Sequence, residues 1–194
     1  FTLGVWRRWV NWGGALALAL GVGVAPAAEH GNKGPKVCEE CHEAEVQVWS
    51  NSAHGKSYKS FHKGSDAKKL AKAVGGGKPK KNAVCQQCHY TMVAKKAGGE
   101  PRARAGTSCE SCHGASEKWL DVHNDFGPHK EDSEPADHRA KRLSASRDAG
   151  MIYSSMHYAI AENCMGCHGL ANPGVDGGAL SKLLAEGHPV VKDY

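Results

Sequence analysis

The sequence predicts a mainly α chain with extensive irregular segments, folded around something other than its own aliphatic side chains. Three observations predict it. Stretches with a 3.6-residue apolar period are short and separated by Gly- and Lys-rich chain, and no alternating stretch reads as a strand. Aliphatic side chains are scarce: between Cys38 and His168 the only leucines are Leu70, Leu120 and Leu143, and the only isoleucines are Ile152 and Ile160. Finally, all eight cysteines fall in four copies of one five-residue form, Cys38 to His42, Cys85 to His89, Cys109 to His113 and Cys164 to His168.

Cys-x-x-Cys-His is the signature of covalent c-type haem attachment. The thiols add to the two vinyl groups, and the adjacent histidine ligates the iron from one face. A zinc ribbon takes four ligands and leaves the four following histidines without a purpose. A thioredoxin-like site needs one copy between strand and helix. Four haem c groups, held by Cys38, Cys41, Cys85, Cys88, Cys109, Cys112, Cys164 and Cys167 with His42, His89, His113 and His168 on the iron, supply the apolar surface that the chain lacks. The expected fold is therefore that of a small multihaem cytochrome c wrapped around its haem cluster, largely unfolded without it.

Taken in order, residues 1–28 read as an export signal. Arg7 and Arg8 form a basic start, Gly13 to Val24 an apolar stretch, and Ala25-Pro26-Ala27 a small-residue cleavage site. Export agrees with haem c, which is attached outside the bacterial cytoplasm, so the expected location is periplasmic or otherwise extracytoplasmic. The alternative is a retained anchor, because Trp9 to Ala28 is about long enough to cross a bilayer, with Trp6, Trp9 and Trp12 at its interface; five glycines, Pro26 and Asn11 argue against it. Residues 29–194 then form one domain.

Glu43 to Ala53 reads as a helix with Val46 and Trp49 on one face. Lys56 to Lys81 holds nine lysines and one acid, Asp66, around Gly75-Gly76-Gly77, and reads as a solvated loop or as a docking surface for an acidic redox partner. His129 to Asp148 is a mixed-charge surface helix and loop. A helix is expected over Asp148 to Asn163, a loop over Gly169 to Gly178, and a short helix over Ala179 to Glu186, ended by Gly187. Only 19 residues separate His89 from Cys109, against 42 and 50 in the other gaps, so haems 2 and 3 are expected to be neighbours.

The formal charge of +5 falls to +3 without Arg7 and Arg8. Four ferric irons and eight propionates bring it to −1, and reduction to −5. Nucleic-acid binding is accordingly a poor reading.

Iron has a second axial face, and its occupant decides between electron transfer and ligand chemistry. Eight histidines lie outside the motifs: His30, His54, His62, His123, His129, His138, His157 and His188. His30, His62, His129 and His138 have polar, charged or Gly-rich surroundings and read as solvated. Met92, Met151 and Met156 read as packing.

The spacing in "CEECHEAEVQVWSNSAH", a motif followed by six residues, Trp, four residues and His54, resembles the tetrahaem cytochrome c-554 family of nitrifying bacteria. "CESCHG" with nine residues between His113 and His123 is similar again, and so is the order of the four motifs. The resemblance implies crossed ligation: His123 opposite His42 on haem 1, His54 opposite His113 on haem 3, and His157 opposite His168 on haem 4, the last with a spacing that differs by two. It also implies an upstream oxidoreductase of the hydroxylamine-oxidising type as electron donor. The family leaves haem 2 without a second protein ligand. Here "LSKLLAEGHPVV" offers His188 after a helix stop at Gly187, and this places His188 opposite His89.

The expected function is electron carriage between redox partners. Two other readings stand beside it: an enzyme reducing nitric oxide or nitrite at an open iron, and a subunit of an extracellular haem filament.

Overall fold

The computed structural model describes residues 31–127, 131–170 and 172–189, which are mainly α-helical. Residues 1–28, read above as an export signal, lie outside the described residues, as do His30 and His129. No described helix is long and apolar enough to cross a membrane.

A short helix α1, Lys36–Glu39, leads into the first motif, and α2, Glu43–Asn51, follows it. Glu43 and Glu45 favour the positive N-terminus of α2. The expected helix to Ala53 is cut at Ser52, whose hydroxyl accepts from Gly55 N (3.2 Å) and starts α3, Ala53–Ser60. Trp49 Nε1 ties α2 to the carbonyl of Thr107 (2.9 Å).

The lysine-rich stretch is not a loop. It completes α3, makes a 3₁₀ turn at Phe61–Lys63 and forms α4, Ser65–Ala73. Lysine and alanine are good helix formers, and one face is enough: Ala67 and Ala71, one turn apart, are buried while Lys68, Lys69 and Lys72 face solvent. The helix stops where Gly75 and Gly76 take positive φ. Asn82 then joins two elements. Its amide donates to the carbonyls of Ala71, Val74 and Gly76, and its Oδ1 accepts from Val84 N and Cys85 N to cap α5, Ala83–His89.

A small sheet, absent from the sequence expectation, lies between the second and third motifs. Strands β1, Thr91–Val93, and β2, Arg102–Ala105, pair antiparallel with Met92 opposite Ala103. Three or four residues are too few to display a period of two, which is why pattern reading passes over them. Met92, Tyr90, Cys85 and Ala71 form the buried cluster, with Tyr58 and Phe61 against it.

The third motif is itself the helix α6, Cys109–His113; α7, Leu120–His123, is a single turn; α8 spans Ala136–Asp148. The helix expected from Asp148 onward does not form. Gly150, at φ +101°, ends α8, and α9 begins only at His157 and runs to His168. Helix α10, Gly177–Ala185, is capped by Asp176, which accepts from Ala179 N (2.9 Å), as the sequence pattern around Gly187 suggested.

Candidate functional site

A helical turn suits each motif, because residues three and four apart share a face. The two thiols and the following imidazole then project together. Motif 2 ends α5, motif 3 is α6, motif 4 ends α9, and motif 1 leaves α1 with Cys41 N and His42 N both bonded to Cys38 O.

Three motif histidines face a second imidazole. The ring centres of His42 and His123 lie 6.1 Å apart at an interplanar angle of 19°, those of His89 and His188 6.2 Å apart at 60°, and those of His168 and His54 5.9 Å apart at 52°. Directly stacked rings come much closer, as Phe61 does on His89 at 4.0 Å. Two imidazoles binding one metal from opposite sides, with metal–nitrogen bonds of ~2 Å, have centres ~6 Å apart. The three gaps therefore fit a metal held between rings. Among the described residues no three His, Cys, Asp or Glu side chains converge as a free-ion site, so the fit is to a metal that brings its own equatorial ligands, as haem iron does. Between the second and third of these pairs lies a cavity of about 440 Å³. His54, His89, His168 and His188 line it together with Cys112 and the thiols of motifs 2 and 4, and Phe61, Leu70, Val84 and Leu183 give it apolar walls.

The thiols of different motifs meet. Cys38 and Cys109 hydrogen-bond, which raises the pKa of Cys38 and lowers that of Cys109 to about 7. Cys88 and Cys167 do the same, raising Cys88 and lowering Cys167 to about 7. Burial, then the nearby Cys164, raises Cys112. Motif 1 thus adjoins motif 3, motif 3 adjoins motif 4, and motif 4 adjoins motif 2. The short link does bring motif 3 near motif 2, through Thr107 Oγ1 donating to Cys88 O (3.1 Å). The sulfur neighbours are nonetheless 1 with 3 and 2 with 4, because the β1–β2 hairpin carries the 19-residue link away from motif 2 and back.

Second contacts orient the imidazoles. His113 Nδ1 lies 2.7 Å from Ile152 O, and His188 Nδ1 lies 2.8 Å from Pro189 O. His42 Nδ1 faces Glu45 at 3.8 Å. Burial, then His188, pushes the pKa of His89 down to about 4. Such a ring is neutral at physiological pH, the form that ligates metal.

The structure parts from the sequence expectation at two histidines. His54 stands opposite His168, not opposite His113. His157 does not face His168, because α9 runs unbroken between them. Eleven residues of helix put their Cα atoms ~16 Å apart, whereas a shared metal needs rings ~6 Å apart. His157 instead heads α9, exposed, on the helix face that also carries Cys164 and His168. Neither His113 nor His157 is in ring contact with a second histidine among the described residues. His138 is not a solvated histidine, since Glu134 and Asp125 hold it on both nitrogens. His62 has its Nδ1 buried without a hydrogen-bond partner. Met92 and Met151 are buried packing residues.

Sequence reading passed over Glu110, the acid inside motif 3. Its carboxylate is buried and accepts from Lys33 N (2.8 Å), Gly34 N (2.8 Å), Ser116 N (3.1 Å) and the Ser116 hydroxyl. This knot ties the approach to motif 1 onto motif 3.

Comparison with known proteins agrees with the motifs. Residues 37–114 match the family model described as cytochrome c554 and c-prime. The chain is 28% identical over 162 residues to cytochrome c-554 of Nitrosomonas europaea, covering 79% of this chain and 64% of that protein. It thus spans a little under two thirds of that relative's length. No solved structure matches significantly. The chain is thus similar to the cytochrome c-554 family, and the family model matches the segment that holds the first three of its four motifs.

Proposed function

We propose that this protein is an exported tetrahaem c-type cytochrome that carries electrons between redox partners. The observation that carries the reading is the set of three imidazole pairs, each with one motif histidine and each spaced for a metal. Haem 1 is assigned to His42 and His123, haem 2 to His89 and His188, haem 4 to His168 and His54. Haem 3 takes His113, backed by Ile152 O. His157 is assigned to its other face because it shares a helix face with Cys164, whose thiol adjoins motif 3.

Bound haem supplies one-electron exchange between ferric and ferrous iron. The chain supplies the rest. Two imidazoles on each iron would leave no open site, which favours electron transfer over ligand chemistry. Burial of His89 and His123 keeps their rings neutral. The thiol neighbours between motifs support a haem order of 1–3–4–2, a continuous path that does not follow the sequence. The partners are redox proteins, with a hydroxylamine-oxidising type of enzyme as the proposed donor by family resemblance.

Intact mass and electron paramagnetic resonance of protein from an export-competent, haem-c-maturing host test this reading. The mass is expected to equal four haems plus a chain beginning near Ala28 or Glu29, and the oxidised spectrum to be low-spin throughout. His157→Ala is expected to convert one haem to high-spin. A high-spin signal already present in the parent and unaltered by His157→Ala would leave haem 3 open and move the reading to nitric oxide or nitrite chemistry.

A further inference from the structure

His123 is the last residue of a four-residue helix, α7. α7 is a single turn, too short to persist alone. His123 Nδ1 is buried with no hydrogen-bond partner among the described residues, and so are the hydroxyl of Tyr153 and Nε1 of Trp119, whose rings pack 6.3 and 5.9 Å away. His113 and His188 each have a carbonyl on Nδ1; the ring of His123 does not.

What does reach His123 is Arg142 of α8, whose Nη1 donates to the His123 carbonyl at 2.8 Å. Glu134 fixes that guanidinium with a fork, Nε to Oε1 at 2.7 Å and Nη2 to Oε2 at 2.6 Å. A two-point charge-assisted pair admits one geometry. It is buried, with side-chain exposures of 1% for Glu134 and 11% for Arg142. Arg142, then His138, holds the Glu134 carboxyl down to about 2. His138 braces the pair: Nδ1 lies 2.8 Å from Glu134 Oε1 and Nε2 3.2 Å from Asp125 Oδ2, two residues past His123, while Phe126 packs on its ring at 5.2 Å. The chain thus closes a loop from His123 through Asp125 and His138 to α8, and back through Arg142 to His123.

We propose that the Glu134–Arg142 pair, braced by His138 and Asp125, is a positioning clamp that sets His123 opposite His42. It acts through the backbone of His123 and touches neither iron nor substrate. The proposal rests on the reading of His42 and His123 as the axial pair of haem 1.

The test uses the haem-loaded full chain in four variants: His123→Ala, Arg142→Gln, Arg142→Lys and Glu134→Gln. Carbon monoxide binding to the reduced protein is followed below each variant's thermal midpoint, with the spin state of the oxidised protein beside it. His123→Ala is expected to create one carbon-monoxide-binding haem per chain. Arg142→Gln and Glu134→Gln are expected to speed binding at that same haem by roughly 10- to 100-fold, the usual scale for supporting contacts. Arg142→Lys, which keeps the charge but not the fork, falls between, and added imidazole restores the low-spin state. If His123→Ala opens a haem while Arg142→Gln, Arg142→Lys and Glu134→Gln bind no faster than the parent, the clamp is wrong and the axial pair stands. If His123→Ala opens no haem, the axial assignment fails and takes the clamp with it. Should Arg142→Gln not fold, Arg142→Lys and Glu134→Gln decide between the same two outcomes.

Discussion

Glu110 shows how one residue inside a haem motif does a structural task the motif does not require. An acid between two haem-bearing cysteines would ordinarily be left in water. Here it turns inward and accepts from three backbone N–H groups. Each buried donor left unanswered costs roughly 1–3 kcal/mol. Glu110→Gln keeps the shape but turns an amide N–H₂ toward those donors, so it should destabilise the haem-loaded protein by roughly 2–3 kcal/mol. Chemical denaturation against the parent measures this, and a change within about 0.5 kcal/mol, the ordinary surface range, would mean that the knot bears no weight. The sequence announced the thiols and imidazoles, because only their chemistry attaches haem. It could not announce Glu110, since nothing in "CES" says which strand of chain will lie over it.

Glycine stops place two of the site's contacts, and at this scale the sequence was partly readable. At the end of α10, His188 N bonds Leu183 O (2.9 Å) and Gly187 N bonds Leu184 O (3.0 Å), with Gly187 at φ +89°. This is a Schellman stop, and it aims the next residue, His188, back at His89. The end of α8 repeats it: Met151 N bonds Ser146 O, Gly150 has φ +101°, and the chain then lays Ile152 O under His113. Gly187 followed by His and Pro was legible because the stop and the ligand are adjacent. Gly150 was not, because the residue it delivers offers only a carbonyl. The ring beside His54 is that of His168 for a related reason, since spacing names a ligand but not the partner that distant packing brings. Gly187→Ala forces a side chain into the left-handed region, at a cost of about 1–2 kcal/mol. It should give haem 2 a high-spin fraction, whereas Gly187→Asn, which tolerates that region, should give less. Equal spectra for both variants and the parent would mean that α10 does not hold His188.

Across the whole molecule, the buried hydrophobic residues are few among the described residues, and half of them are alanine or cysteine, with Tyr90, Met92, Trp119, Met151 and Leu183 the larger ones. That scarcity was plain in the sequence and predicted a chain shaped by its bound groups; the pairing of motifs 1 with 3 and 2 with 4 was not, because gap lengths bound distances without fixing direction. Charge is distributed just as unevenly. Net charge would become negative once residues 1–28 are removed and four haems are counted, yet Lys56, Lys59, Lys63, Lys68, Lys72 and Lys81 remain exposed on α3, α4 and the turns beside them, the segment that also carries Phe61, which stacks on His89. Lys69 differs, because it pairs with Glu186 at 3.0 Å and ties α4 to α10. The two descriptions predict opposite signs. If net charge governs encounter, the reduced protein repels an anionic oxidant, and added salt speeds the reaction by screening the repulsion. If the lysine face beside haem 2 governs it, the anion is attracted locally and salt slows the reaction. Stopped-flow oxidation by ferricyanide is expected to slow as ionic strength rises from about 0.01 to 0.15 M, over which the Debye length shrinks from roughly 30 to 8 Å. Replacing Lys63, Lys68 and Lys72 by Gln should flatten or invert that slope. Lys69→Gln should instead loosen α10 and alter the haem 2 spectrum with little effect on the slope. A parent rate that rises with salt would deny the lysine face any part in docking.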